Sequence, residues 1–172
     1  MKLILLFISS ILSTSQTTNE RKIYLLDKKV ELVVPAQLVE MSNEMYKLKY
    51  ESRLRPAVAV SDETGEVSLT GNITRQRASE SQIAAYKDFQ IAELKKAYPD
   101  LQIIDGGVKT VRGKKVGYFR FISQAVDQKI FNYYFFTIVN GEVVLFNFNC
   151  IERLRTSWEK KAEQIVSSLI VN

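Results

Sequence analysis

The chain has 172 residues, with 24 lysines and arginines against 19 aspartates and glutamates, a single cysteine and no histidine. Without histidine there is no residue for the commonest general base, for a Ser-His-acid arrangement, or for most zinc and iron ligand sets, so the usual hydrolase and metalloenzyme chemistries are disfavoured. The net charge of +5 is mild, and a lone Cys150 excludes an intrachain disulfide.

Residues 1–15 set the expected location. Lys2 precedes a largely apolar run at 3–12, and Ser13, Thr14 and Ser15 follow, which is the three-part layout of an export signal. The run is about half the roughly 20 residues needed to cross a bilayer core, and no comparable run occurs later. The reading is a cleaved signal and no stable membrane insertion. No cysteine stands near the cleavage region, which closes lipid attachment through that residue. Cleavage would remove only Lys2 from the charge count, leaving 23 basic and 19 acidic groups on 157 residues, the usual size of one domain with its own core. The expected organisation is therefore a signal at 1–15, a polar leader at 16–21 and a single α+β domain over 22–172.

Residues 22–26 and 30–34 read as two short strands joined by the charged turn Asp27-Lys28-Lys29, with Pro35 ending the pair. Ser42 is placed to cap a short helix through Tyr50, with Met41, Met45 and Leu48 on one side and Asn43, Glu44, Lys47 and Lys49 on the other. Residues 56–60 and 66–74 flank Asp62-Glu63-Thr64-Gly65, the pattern of an antiparallel hairpin with Val67, Leu69 and Ile73 facing the core. Ser79 and Gln82 resemble a capping box opening a helix that ends before Pro99. Ile83, Tyr86, Ile91, Leu94, Ala97 and Tyr98 fall on one arc of that helix, and Phe89 falls outside it.

From 101 to 150 the sequence reads as consecutive strands at 101–104, 108–111, 116–125, 130–139 and 142–150. The last two are joined by Asn140-Gly141, the dipeptide best suited to the positive φ angles of a two-residue hairpin. The strand carrying Phe131, Tyr133, Tyr134, Phe135 and Phe136 is apolar on both faces and is expected in the sheet interior, covered on both sides. Cys150 ends the alternating run Val144, Phe146, Phe148, which places it in the core. Thr156 and Glu159 fit a second capping box, opening a final helix with Leu154, Trp158, Ala162, Ile165, Val166 and Leu169 on one face.

This order predicts an α+β fold, an antiparallel sheet with helices packed on its faces. With Val34-Pro35 ending the first strand pair, the helix from Ser79 to Tyr98, the Gly106-Gly107 and Arg112-Gly113-Lys114 turns and the final hairpin and helix, the chain resembles the α/β/α sandwich superfamily of photosystem subunit PsbP, the Ran-binding protein Mog and the exported bacterial DcrB-type proteins. The resemblance covers nearly all of the chain after the signal. It implies a mostly non-catalytic protein that binds or stabilises other proteins, assists envelope assembly or holds apolar segments of an effector. No functional residue of the superfamily is carried onto a position here, because no residue motif is matched.

Other chemistry finds little support. Asp100 with Asp105, and Asp62 with Glu63, lack calcium-loop spacing, and Gly106-Gly107 lacks the spacing of a phosphate cradle. No cofactor or metal is expected. The candidate site lies in the aromatic density between Tyr118 and Phe148. If Tyr118, Arg120, Tyr134 and Asn147 share an open end of the sheet, they form a groove for a protein or peptide partner or a small apolar ligand. A second candidate is the basic cluster Arg112, Lys114 and Lys115, which suits an acidic partner through a charged surface. The functional expectation is a secreted or periplasmic, non-enzymatic binding or accessory protein without nucleic-acid ligands. The alternative is an immunity or inhibitor protein acting on an exported toxin.

Overall fold

The computed structural model describes residues 19–50 and 55–172. The expected signal and the start of the leader lie outside the described residues; Glu20 and Arg21, read as leader, belong to the first strand. In chain order the elements are β1 (Glu20–Leu25), β2 (Val30–Pro35), β3 (Val39–Glu40), α1 (Asn43–Tyr50), β4 (Val58–Ser61), β5 (Val67–Arg77), α2 (Ile83–Ala97), β6 (Gln102–Val111), β7 (Lys114–Gln124), β8 (Lys129–Val139), β9 (Glu142–Ile151), α3 (Arg155–Ser167) and β10 (Ile170–Val171).

Seven strands form one antiparallel sheet in the order β3-β4-β5-β9-β8-β7-β6, and β1, β2 and β10 form a smaller one. Because side chains alternate along a strand, each strand of the large sheet supplies both its faces. Phe131, Tyr133 and Phe135 of β8, with Val144, Phe146, Phe148 and Cys150 of β9, point toward the small sheet and the Trp158, Ala162, Ile165 and Val166 face of α3. Phe119, Phe121, Phe136, Ile138 and Val143 point the other way, under Ile83, Tyr86, Ile91 and Leu94 of α2. Helix α1 lies on the same face as α2, where Met41 and Tyr46 pack on Ala59. The result is a helical layer, a sheet, and a second layer of helix and small sheet. The expected α+β architecture is present, and β8 lies in the sheet interior between β7 and β9.

The Asn140-Gly141 turn forms as read, with φ of 54° and 78°. Cys150 is fully buried, and burial pushes its thiol up to about 12. A 3-10 turn at Glu80–Gln82 leads into α2, and there the Ser79 N–H donates to Gln82 Oε1 at 2.8 Å, the reciprocal bond of a capping box.

Four expectations are corrected. Residues 101–104 and 108–111 are not two strands: β6 runs unbroken through Gly106-Gly107. Those glycines mark a close approach, since a Cβ on Gly106 would lie 2.8 Å from Phe119 Cβ. On α1, Leu48 is 81% exposed, and the buried position is Tyr46, whose ring lies 5.1 Å from that of Tyr50 one turn later. Lys49, expected in solvent, turns inward and donates to Gly65 O at 2.6 Å and Ser68 Oγ at 3.0 Å; burial lowers its pKa to about 8. Finally, Thr156 does not cap α3, which starts one residue earlier after a 3-10 turn at Glu152–Leu154. Its intended partner Glu159 is taken by two arginines.

Candidate functional site

Where α3 crosses β6, β7 and β8, it leaves an open cleft of about 570 Å³ lined by Lys109, Tyr118, Arg120, Tyr133, Thr156, Glu159, Lys160 and Glu163. Strand register builds its floor. Gly107 pairs with Tyr118 and Asp105 with Arg120 across β6 and β7, and Arg120 pairs with Tyr133 across β7 and β8. All of these side chains sit on the α3 face. From the helix, Glu159 and Glu163 are four residues apart and therefore project from one side toward the strands.

The charges alternate and are mutually engaged. Arg120 donates through Nε to Asp105 Oδ1 at 2.7 Å and through Nη1 to Glu159 Oε1 at 2.8 Å. Arg155 also donates to Glu159, at 3.1 Å. Lys109 pairs with Glu163 and donates to the Tyr133 hydroxyl at 3.0 Å, and that hydroxyl donates to Glu163 Oε2 at 2.6 Å. The ammonium of Lys109 lies 5.1 Å and 5.6 Å from the ring centroids of Tyr118 and Tyr133, and the Arg120 guanidinium lies 5.8 Å from Tyr133, distances at which a ring face attracts a cation.

These contacts bias the titrations. The Arg120 hydrogen bond holds the Asp105 carboxyl below its usual value. Burial works to raise the Glu163 carboxyl, yet the hydrogen bonds from Lys109 and Tyr133 bring it below the ordinary glutamate range. Desolvation, reinforced by Glu163, pushes the Tyr133 phenol upward, so it stays protonated and can donate. The cleft thus keeps Asp105 and Glu163 charged near neutral pH and sets the half-buried Tyr118 ring, backed by the buried Tyr133, between its ions. Tyr118 supplies an apolar surface there and the alternating ions supply polar groups around it.

The four residues expected to share a groove are divided between two faces. Tyr118 and Arg120 line the cleft under α3. Tyr134 and Asn147 pair with each other across β8 and β9 on the opposite face. There the Tyr134 ring sits 5.2 Å and 5.1 Å from those of Phe119 and Phe121. Asn147 donates to Asn132 Oδ1 at 3.4 Å, and its own buried Oδ1 has no hydrogen-bond partner among the described residues. Period two explains the split, because Tyr133 and Tyr134 are neighbours in sequence and must face opposite ways. The basic cluster occupies the β6–β7 hairpin, where Arg112 and Gly113 take φ of 48° and 83°. Arg112 and Lys115 are exposed, and Lys114 lies 3.8 Å from Glu80 at the start of α2. Lys109, Tyr133, Glu159 and Glu163 were missed as site residues. Tyr133 carried the signal of an aromatic strand, but the ions are ordinary surface charges until four elements converge.

Among the described residues, no group of three or more His, Cys, Asp or Glu side chains could hold a metal ion, and no helix is long and apolar enough to cross a membrane. No protein-family model matches the sequence, and no curated protein matches it. Solved structures do. Cyanobacterial PsbP from Synechocystis sp. PCC 6803 superposes with a TM-score of 0.64 at 10% identity, over 95% of this chain and 99% of that one. LpqN of Mycobacterium tuberculosis, described as involved in cell envelope biogenesis, gives 0.59 at 15% identity over 88% and 89%. A Pseudomonas aeruginosa protein of unknown function gives 0.54 at 14% identity over 90% and 98%. With its helices on both sides of a seven-stranded antiparallel sheet, the chain has the α/β/α sandwich fold seen in PsbP.

Proposed function

We propose that the protein is a non-enzymatic binding or accessory protein, secreted or periplasmic, which holds an extended segment of a protein partner in the cleft between α3 and strands β6 to β8. The observation that carries this reading is the half-buried Tyr118 ring, backed by the buried Tyr133 and set among alternating, mutually engaged ions. Every carboxylate of the cleft is engaged by a cation or a phenol, an arrangement for holding a ligand and a poor one for transferring protons. The charged lining favours a peptide over a small apolar ligand. Placement outside the cytoplasm rests on the export-type layout of residues 1–15 and on the likeness to LpqN, whose description concerns the cell envelope.

The test is selection of peptides against the full chain, followed by mapping of the selected peptides by NMR. Perturbations centred on Tyr118, Tyr133, Thr156 and Glu163, with a binding loss of about tenfold for Tyr118→Ala at unchanged melting temperature, support the reading. Perturbations elsewhere, or unchanged affinity in Tyr118→Ala, refute it. The exposed Arg112 and Lys115 at the hairpin tip favour a second reading, an inhibitor or immunity protein for an acidic exported toxin. That reading requires association that slows steeply with salt and with loss of Arg112, Lys114 and Lys115.

A further inference from the structure

Strand β6 ends the large sheet and, beyond an irregularity between Ile103 and Asp105, runs in regular register from Asp105 to Val111; among the described residues no strand pairs with its outer edge. The opposite edge, β3, has two residues. A long open edge presents unpaired N–H and C=O groups and is a template for another strand. Along β6 the exposed positions include Ile104 and Val108, at 38% and 42% exposure, on either side of Gly106-Gly107.

The charges of this edge select what fits it. Asp105 and Lys109 lie on the same face of β6, four residues apart, with Gly107 midway. If two copies of β6 pair antiparallel about a two-fold axis at Gly107, Asp105 of each copy stands directly opposite Lys109 of the other. Centring the axis on Asp105 or Lys109 would instead oppose like charges, which is destabilising. On the other face the same register sets each Val108 opposite a Gly106, where a missing side chain leaves room.

We propose that β6 pairs in this register with β6 of a second copy of this chain, joining the two large sheets into one across an isologous contact. The pairing also links the two clefts, which lie on the same face beside the axis. The run Glu163, Lys109, then Asp105, Arg120 and Glu159 of the other copy alternates in sign throughout. Asp105 keeps Arg120 and Lys109 keeps Glu163 and Tyr133, since the carboxylate has further lone pairs and the ammonium a third N–H for the contact across the axis.

Sedimentation velocity of the full chain over a wide concentration range tests this. The expected result is a reversible dimer. Asp105→Lys and Lys109→Asp, each alone, weaken dimerisation at least about tenfold, since two symmetric ion pairs become two repulsions. Mixing the two variants restores a 1:1 dimer, because every opposed pair is again of opposite sign. Circular dichroism of each variant separates a lost interface from a lost fold, and the mixing result itself requires both variants to be folded. A wild-type chain that stays monomeric throughout overturns the pairing and leaves the edge to a strand from another protein. A dimer that survives both single reversals overturns it too, and places the contact elsewhere.

Discussion

The two faces of the large sheet are built from the same strands and solve opposite problems. Under α2, Phe119, Phe121, Tyr134 and Phe136 form an aromatic layer that includes stacked and edge-on rings. Under α3 the same strands contribute Tyr118, Arg120 and Tyr133 to an ion network that remains open to solvent. The first patch stabilises by excluding water, whereas the second, at the margin of the large core under α3, retains water and charge. The comparison indicates that the α3 face keeps a polar cleft beside its packed core, where Arg120, Lys109, Glu159 and Glu163 take the place of apolar side chains, and an open, preorganised polar cleft is what a recognition site needs.

Substitutions can sharpen or break that contrast. The largest effect is expected from Phe136→Ala, which removes a fully buried ring packed edge-on to Tyr86 at 4.8 Å; denaturant unfolding should show a loss of about 3–5 kcal/mol. A loss below about 1 kcal/mol would mean that α2 is not held by this layer.

On the cleft face, Arg120→Ala leaves Asp105 and Glu159 without their shared cation and should cost about 1–3 kcal/mol near pH 7. This difference depends on pH. The folded-state pKa of Asp105 lies below its unfolded value of 3.8, so its contribution is present above that value and fades as pH falls through the lowered one. Wild type and variant should therefore converge in stability in strong acid, whereas the Phe136→Ala deficit should persist for as long as both proteins remain folded. A gap that is constant with pH would assign Arg120 a packing role.

Tyr133→Phe keeps the ring and deletes the hydroxyl shared by Lys109 and Glu163. A cost of about 1 kcal/mol is expected in thermal unfolding, together with weaker peptide binding at the cleft. The smallest effect belongs to Thr156→Ala, expected within about 0.5 kcal/mol because Thr156 is not the cap of α3. A loss near 1 kcal/mol, the usual value for a side-chain cap, would restore the capping box read from the sequence.

Local rules identified much of this fold. Alternation placed Val144, Phe146, Phe148 and Cys150 in the core, and Asn140-Gly141 fixed the β8–β9 hairpin. Where a residue had two local meanings, the sequence could mislead. Gly106-Gly107 is compatible with a turn or with a tight strand crossing, and only the proximity of Phe119 decides. Lys49 is a surface residue by any helical wheel until Gly65, in the turn between β4 and β5, and Ser68 of β5 offer it acceptors. The site was half visible: Tyr118 and Arg120 were found, while Tyr134 and Asn147 were assigned to the same groove although the pleat sends them to the other face.

The amino-acid sequence by itself determined the three helices, the Asn140-Gly141 hairpin, the burial of Cys150 and the absence of histidine, because these depend on residue identity and on neighbours a few positions away. The tertiary structure alone decided which face each helix covers, the closing of β10 onto β2 and the ion network that joins Lys109 to Glu163 and Arg120 to Glu159. Those contacts span 39 to 54 positions along the chain within the cleft. A charge has no preferred partner at that separation until the packed sheet and helix bring one within reach.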